Sequence, residues 1–252
     1  MKLGIVGKGG VGKTSTSALL TSAFVRRGQR VLAIDTDSNT NLGLSLGLDM
    51  AQTEAVPVMP RSLIVGDGGD MTVDELLADF GRATPAGATL LSAIKVAEAG
   101  AGCTCSGHAT VRNLLGQAMD TRADITLVDM EAGLEHLSRS GGTLAHADVL
   151  LVVMEPTRKS ILTAARTVAL AADLGLHQVY GVGNKARLPE DAEYFRTAAA
   201  EQGVPLAGII PLDPQVSAAD RDGTAVSRVV DGPAHTAVEE IVDFLQELSV
   251  SA

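Results

Sequence analysis

Apolar and polar positions fall into blocks that switch between strand-like and helix-like spacing along the chain. Short apolar runs of strand length recur at residues 3–6, 29–34, 62–65, 88–96, 124–130, Val149–Met154, 178–183 and 206–210. Between them, apolar residues return at helical spacing over 16–27, 41–48, Val73–Phe80, 106–119, 159–174 and 236–248. The run at 88–96 would also serve a buried helix, so periodicity alone leaves its type open. Ser106 is placed to cap the helix that follows it. Strands alternating with helices predict an α/β fold, a mostly parallel sheet with helices on both faces. The last segment puts Val238, Ile241, Val242, Leu245 and Leu248 on one face and Glu239, Glu240, Asp243 and Glu247 elsewhere. Since no lysine or arginine follows Arg228, that helix is expected to dock on the fold and not on a membrane surface.

Composition narrows the class. The 252 residues suit one large α/β domain spanning 1–252, with no internal repeat or linker. A core of that size needs no disulfide or metal to hold it. Aromatic residues are 2% and tryptophan is absent, which argues against stacking platforms for single-stranded nucleic acid. The net charge of −10 lacks the footprint of a nucleic-acid or anionic-membrane binder. No apolar run approaches the ~20 residues of a membrane span, and the first strand begins too early to leave room for a signal peptide. These features, with only two cysteines, predict a cytoplasmic protein whose thiols are normally reduced.

The chemistry begins at the first strand. Gly7-x4-Gly12-Lys13-Thr14 is a Walker A loop with an apolar run before it and a helix-like stretch after it. Glycines allow backbone angles and close approach that a Cβ forbids. The N–H groups of Gly7, Lys8, Gly9, Gly10, Val11, Gly12, Lys13, Thr14 and Ser15 would line an anion nest at a helix N-terminus. Lys13 is expected to reach the β- and γ-phosphates, and the Thr14 hydroxyl to ligate Mg²⁺. A glycine-rich turn that merely joins strand to helix would lack the lysine and hydroxyl in register.

Lys8 makes the loop Lys-Gly-Gly-Val-Gly-Lys-Thr, which resembles the deviant Walker A family of MinD, ParA, nitrogenase iron protein, arsenical-pump and tail-anchored-protein ATPases. The resemblance implies a P-loop NTPase of the SIMIBI, MinD-like type that hydrolyses ATP with Mg²⁺. It also implies a nucleotide-sandwich homodimer in which Lys8 reaches the partner's phosphates. Asp35-x-Asp37 resembles switch I, implying that Asp37 positions the attacking water; helix capping by Asp37 or Ser38 is the plainer alternative. Asp129, ending the run at 124–130, resembles the Walker B carboxylate and would bind Mg²⁺ directly or through water, with residues 131–140 as switch II. A strand-end aspartate acting only as a cap is the alternative. Asn184-Lys185 resembles the pair whose asparagine reads the adenine edge, while a buried asparagine serving a loop backbone remains open. Pro211-Leu212-Asp213-Pro214 resembles the family's loop beside the base.

Cys103-x-Cys105 is the second unusual stretch. In an extended segment residues i and i+2 point the same way, ~6.6–7 Å apart, so both thiolates can face one ion. Two ligands do not complete a tetrahedral site, but a two-fold dimer presents the pair twice. A Ni²⁺ or Zn²⁺ on the dimer axis would then have four thiolates, with His108 either an extra ligand or structural. Two inert buried thiols are the plainer alternative. The cysteine pair, the run Asp129-Met130-Glu131-Ala132-Gly133-Leu134-Glu135-His136-Leu137 and Val153-Met154-Glu155-Pro156 resemble CooC-type proteins. These are accessory ATPases for nickel insertion into carbon monoxide dehydrogenase, so the resemblance implies that enzyme as client. Two rival outputs stay open: a ParA- or MinD-like positioning ATPase, and a client-targeting ATPase of the arsenical-pump type.

Overall fold

The computed structural model describes residues 1–37, 39–59, 73–93, 123–130, 144 and 146–250. Eight strands form one sheet: β1 (Lys2–Gly7), β2 (Val31–Asp35), β3 (Arg82–Ala83), β4 (Thr89–Ser92), β5 (Ile125–Asp129), β6 (Val149–Met154), β7 (Val179–Ala186) and β8 (Leu206–Pro211). Their order is β3-β4-β2-β5-β1-β6-β7-β8. All neighbours pair in parallel except β3 with β4. The described helices are α1 (Lys13–Arg26), α2 (Leu42–Ser45), α3 (Met50–Glu54), α4 (Val73–Phe80), α5 (Arg158–Asp173), α6 (Pro189–Glu201), α7 (Pro214–Asp222) and α8 (Gly232–Val250).

The strands are apolar on both faces because helices cover both. Leu3, Ile5, Ala33, Leu127 and Leu151 pack with Leu20 and Phe24 of α1 and Ile241 and Leu245 of α8. Their strand neighbours Val6, Ile34, Val128, Val152 and Met154 point the other way, to Ile161 of α5 and Phe195 of α6. A period of two thus splits one sheet between two cores. α8 docks as its apolar stripe requires. Its polar side is held by Arg27, whose guanidinium donates to Glu239 at 2.6 Å and Asp243 at 2.7 Å, and by Arg26 to Glu239 at 2.8 Å.

Several expected boundaries change. The helix read over 41–48 shortens to α2, ending before the turn at Gly47 (φ 100°), and a further short helix not expected from periodicity, α3, starts from Asp49 with a capping box to Gln52. The run at 88–96 is a strand at Thr89–Ser92, and its residues from 94 onward lie outside the described residues. β7 continues through Ala186, so Asn184 and Lys185 stand on a strand and not in the loop after it. The final helix starts at Gly232. Helices α6 and α7 and the antiparallel strand β3 add to the elements expected from periodicity. The expected strand at 62–65 and helix at 106–119 lie outside the described residues. Among the described residues, no helix is long and apolar enough to cross a membrane.

Candidate functional site

Parallel strands deliver their carboxyl ends to one edge of the sheet, and the loops that follow them share it. β1 ends at Gly7 and the chain turns through residues 8–12 into α1. Gly12 is the N-cap of α1 at φ 94°, and a Cβ there would collide with the amide of Asn184. It supplies no capping side chain, so the first-turn N–H groups of α1 stay available to an anion. Lys13 is 8% exposed, and its ammonium donates to the Lys8 carbonyl at 3.4 Å. Lys8, Gly9 and Gly10 are exposed at the loop's tip, Val11 is buried beneath it, and Thr14 and Ser15 are half-buried.

Next to this loop lie two carboxylates. Asp35 and Asp129 are paired across β2 and β5, each 2% exposed. Burial, and then the Asp129 charge, push the Asp35 carboxyl up to about 8. Its oxygens accept from the Asp37 N–H at 3.0 Å and the Leu42 N–H at 3.1 Å, which oppose that shift. Burial likewise raises Asp129, to about 6, against hydrogen bonds from the Thr14 and Ser17 hydroxyls and the nearby Lys13 charge. Ser17 donates to it at 3.0 Å. Thr36 fastens the two strand ends, its N–H and hydroxyl donating to the Asp129 carbonyl at 3.0 and 2.9 Å.

This donor set fits Mg²⁺. Thr14, Asp129 and Asp35 offer hard oxygens, and burial, opposed at Asp129 by the Lys13 charge, raises both carboxyls, so a further cation there would favour their ionised forms. Mg²⁺ takes much of its shell from water and substrate phosphates. Among the described residues no group of three or more His, Cys, Asp or Glu is itself placed as a complete metal cage.

Asp37 is half-buried and accepts from the Asn39 N–H at 2.9 Å. It does not cap α2: Asn41 holds the N-cap position and Asp35 receives the first N–H of that helix. Asn184 is 8% exposed, donating its amide to the Val11 carbonyl at 2.8 Å and accepting from the Lys185 N–H at 2.9 Å. One amide hydrogen and one lone pair stay available for a base edge. Asn184, Lys185, Pro211, Leu212, Ser15 and Thr16 line one cleft beside the start of α1.

Sequence reasoning assigned no role to Asp35 or Ser17. Ser17 lies one helical turn beyond Lys13, so the i, i+4 spacing places both on one face of α1. Asp35 reads as the polar end of an apolar strand, and only its register with Asp129 reveals a buried pair. Cys103, Cys105, His108 and the run 131–140 lie outside the described residues.

The CbiA model, described as the CobQ/CobB/MinD/ParA nucleotide binding domain, matches residues 5–226. The chain belongs to that family. It is similar to the carbon monoxide dehydrogenase accessory protein CooC of Rhodospirillum rubrum, 36% identical over 238 residues that cover 88% of each chain. An uncharacterized ATP-binding protein of Methanocaldococcus jannaschii is 33% identical over 262 residues, 98% of each chain. Among solved structures, septum site-determining protein MinD of Pyrococcus horikoshii, complexed with Mg-ADP, matches with a TM-score of 0.73. It is 20% identical and covers 100% of this chain and 98% of its own, a likeness of fold. With the P-loop resemblance, family and fold identify a CbiA/MinD/ParA-type ATPase, and its sheet is the mostly parallel one of the MinD/ParA P-loop fold.

Proposed function

We propose that this ATPase is a cytoplasmic maturation factor, one P-loop domain over 1–252, that works as a homodimer and delivers nickel to a carbon monoxide dehydrogenase. The likeness to CooC, at 36% identity across 88% of the chain, carries this reading. Cys103-x-Cys105, in a chain with two cysteines in all, supports it chemically. ATP lies along the loop from Gly7 to Ser15, with Asn184 and Pro211 at the base, so that ATP is preferred to GTP. Lys13 and the partner's Lys8 neutralise the phosphates, Asp37 orients the water, and Thr14 and Asp129 hold Mg²⁺. Bound there, Mg²⁺ would offset phosphate charge as hydrolysis proceeds. The four thiolates of two subunits capture the cargo ion; Zn²⁺ competes, because affinity order alone does not select nickel.

Equilibrium dialysis with metal analysis tests the cargo site. Wild type is expected to bind about one Ni²⁺ or Zn²⁺ per dimer, since each subunit supplies half of a four-ligand site. Affinity falls as pH drops because thiolates must be deprotonated. The Cys103→Ser/Cys105→Ser variant should bind no stoichiometric metal while still binding ATP. Metal retained by that variant would place the ligands elsewhere and remove the chemical support for nickel delivery.

Hydrolysis as the step that opens the dimer gives a second test. Asp37→Ala should bind ATP and persist as a dimer on size-exclusion chromatography, with turnover down by about 10²-fold or more. A monomer at saturating ATP would assign Asp37 another role, such as its turn to Asn39.

A further inference from the structure

The side chain of Lys185 has no part in the roles assigned so far. Among the described residues, Lys185 is the one non-glycine with positive φ, at 59°. It sits where the pairing of β7 with β8 shifts between Gly183 and Ala186. Non-glycine residues in that region cost free energy and persist where their surroundings hold them, so the conformation calls for a reason. The reason lies in where the side chain goes. Its ammonium donates to the Gly10 carbonyl at 2.5 Å and pairs with the Glu155 carboxylate at 2.8 Å. Glu155 is placed in turn by its own N–H, which donates to the Ser160 hydroxyl in the first turn of α5 at 3.0 Å.

Gly10 and Val11 are consecutive residues of the phosphate loop, and β7 holds both of their carbonyls, through Lys185 and Asn184. In a trans peptide the C=O and the following N–H point to opposite sides. A Gly10 carbonyl drawn out to Lys185 therefore turns the Val11 N–H to the opposite side, into the loop, where it makes only a long contact of 3.4 Å to the Lys8 carbonyl that an anion would replace. A Val11 carbonyl drawn to Asn184 turns the Gly12 N–H inward in the same way. Inward N–H groups are what make a loop an anion nest.

We propose that Lys185 and Glu155 are positioning residues of the phosphate loop: Lys185 holds the Gly10 peptide in the anion-binding orientation, and Glu155 holds Lys185. Lys185 also lines the cleft shared with Asn184 and Pro211. Its assigned effect falls on the phosphate end of a nucleotide, and an adenosine arm of the test separates that from a base contact. Its role is independent of the cargo metal.

The test is direct binding of MgADP, MgATP and adenosine to wild type, Lys185→Gly, Lys185→Arg and Glu155→Gln. Glycine adopts positive φ without cost, so Lys185→Gly removes the ammonium and leaves the backbone at ease. It should weaken MgADP and MgATP by about tenfold or more, the scale of a lost charged hydrogen bond. Adenosine affinity should stay within about twofold of wild type, a split that a general loss of structure would not produce. Lys185→Arg should recover most of the loss. Glu155→Gln should weaken the phosphate ligands less, and add little when combined with Lys185→Gly, because the two act in series. Parallel loss of adenosine affinity would make Lys185 a base contact and overturn the proposal. So would unchanged MgADP and MgATP affinity, which would reduce the pair to a surface ion pair.

Discussion

Lys13→Ala should lower ATP hydrolysis by about 10³-fold or more, the scale of losing a central electrostatic contact to the transferring phosphate. The fold should survive, because position 13 is the first residue of α1 and alanine is the best helix former. The variant also loses a cation that helps keep Asp129 ionised, so the Asp129 carboxyl moves further up from about 6. Single-turnover hydrolysis beside a thermal melt measures both effects. Turnover within about tenfold of wild type, in a variant that melts normally, would take the P-loop lysine out of the mechanism.

Without Mg²⁺ and nucleotide, the protein should lose stability as pH rises from about 4 to above 8. Asp35 and Asp129 have folded pKa values of about 8 and about 6 against an ordinary 3.8. Over that window the native state holds more protons than the unfolded chain, so the unfolding free energy falls with pH. The stability of the protonated pair is complete below pH 4 and is lost as pH passes first about 6 and then about 8. A melting temperature lower at pH 8.5 than at pH 6, by roughly several degrees, is expected. Adding Mg²⁺ with ADP should reverse most of the loss and release about one proton near pH 7, because bound metal favours the ionised acids. Calorimetry in two buffers of different ionisation enthalpy reads that proton. Binding without proton release would show that the pair is already ionised or stands apart from the metal.

How much of this was visible beforehand depends on whether a signal was local. Val73–Phe80 and Val149–Met154 can be read to the residue, since a helical stripe and an unbroken apolar run are properties of the segment itself. α6 has no such stripe: only Phe195 and Ala199 are buried among alanines and charges. Its cue was instead Pro189 with Glu190 and Asp191 in the first turn, a helix-start signal. α7 buries Ala219 alone, and its cue was Asp213 before Pro214. The phosphate loop is a contiguous motif and was legible. The Asp35–Asp129 pair and the Lys185 contact to Gly10 were not, because each depends on strands that are neighbours in the sheet and distant in the chain.

The parallel sheet has an electrical consequence. Because α1, α5, α6 and α7 each follow the carboxyl end of a strand, all four begin on the nucleotide edge. α8 begins there too, with its Ala234 N–H bonded to Asp213 just past β8. Each start carries about half a positive charge. The starts of α1, α7 and α8 line one cleft, with Lys185 beside them and Asp213 capping both α7 and α8, in a chain whose net charge is −10. Salt at physiological strength damps fields beyond about 8 Å, so the acidic remainder of the surface is largely silent at that distance. A chain that is acidic as a whole can thus still hold a triphosphate at one edge.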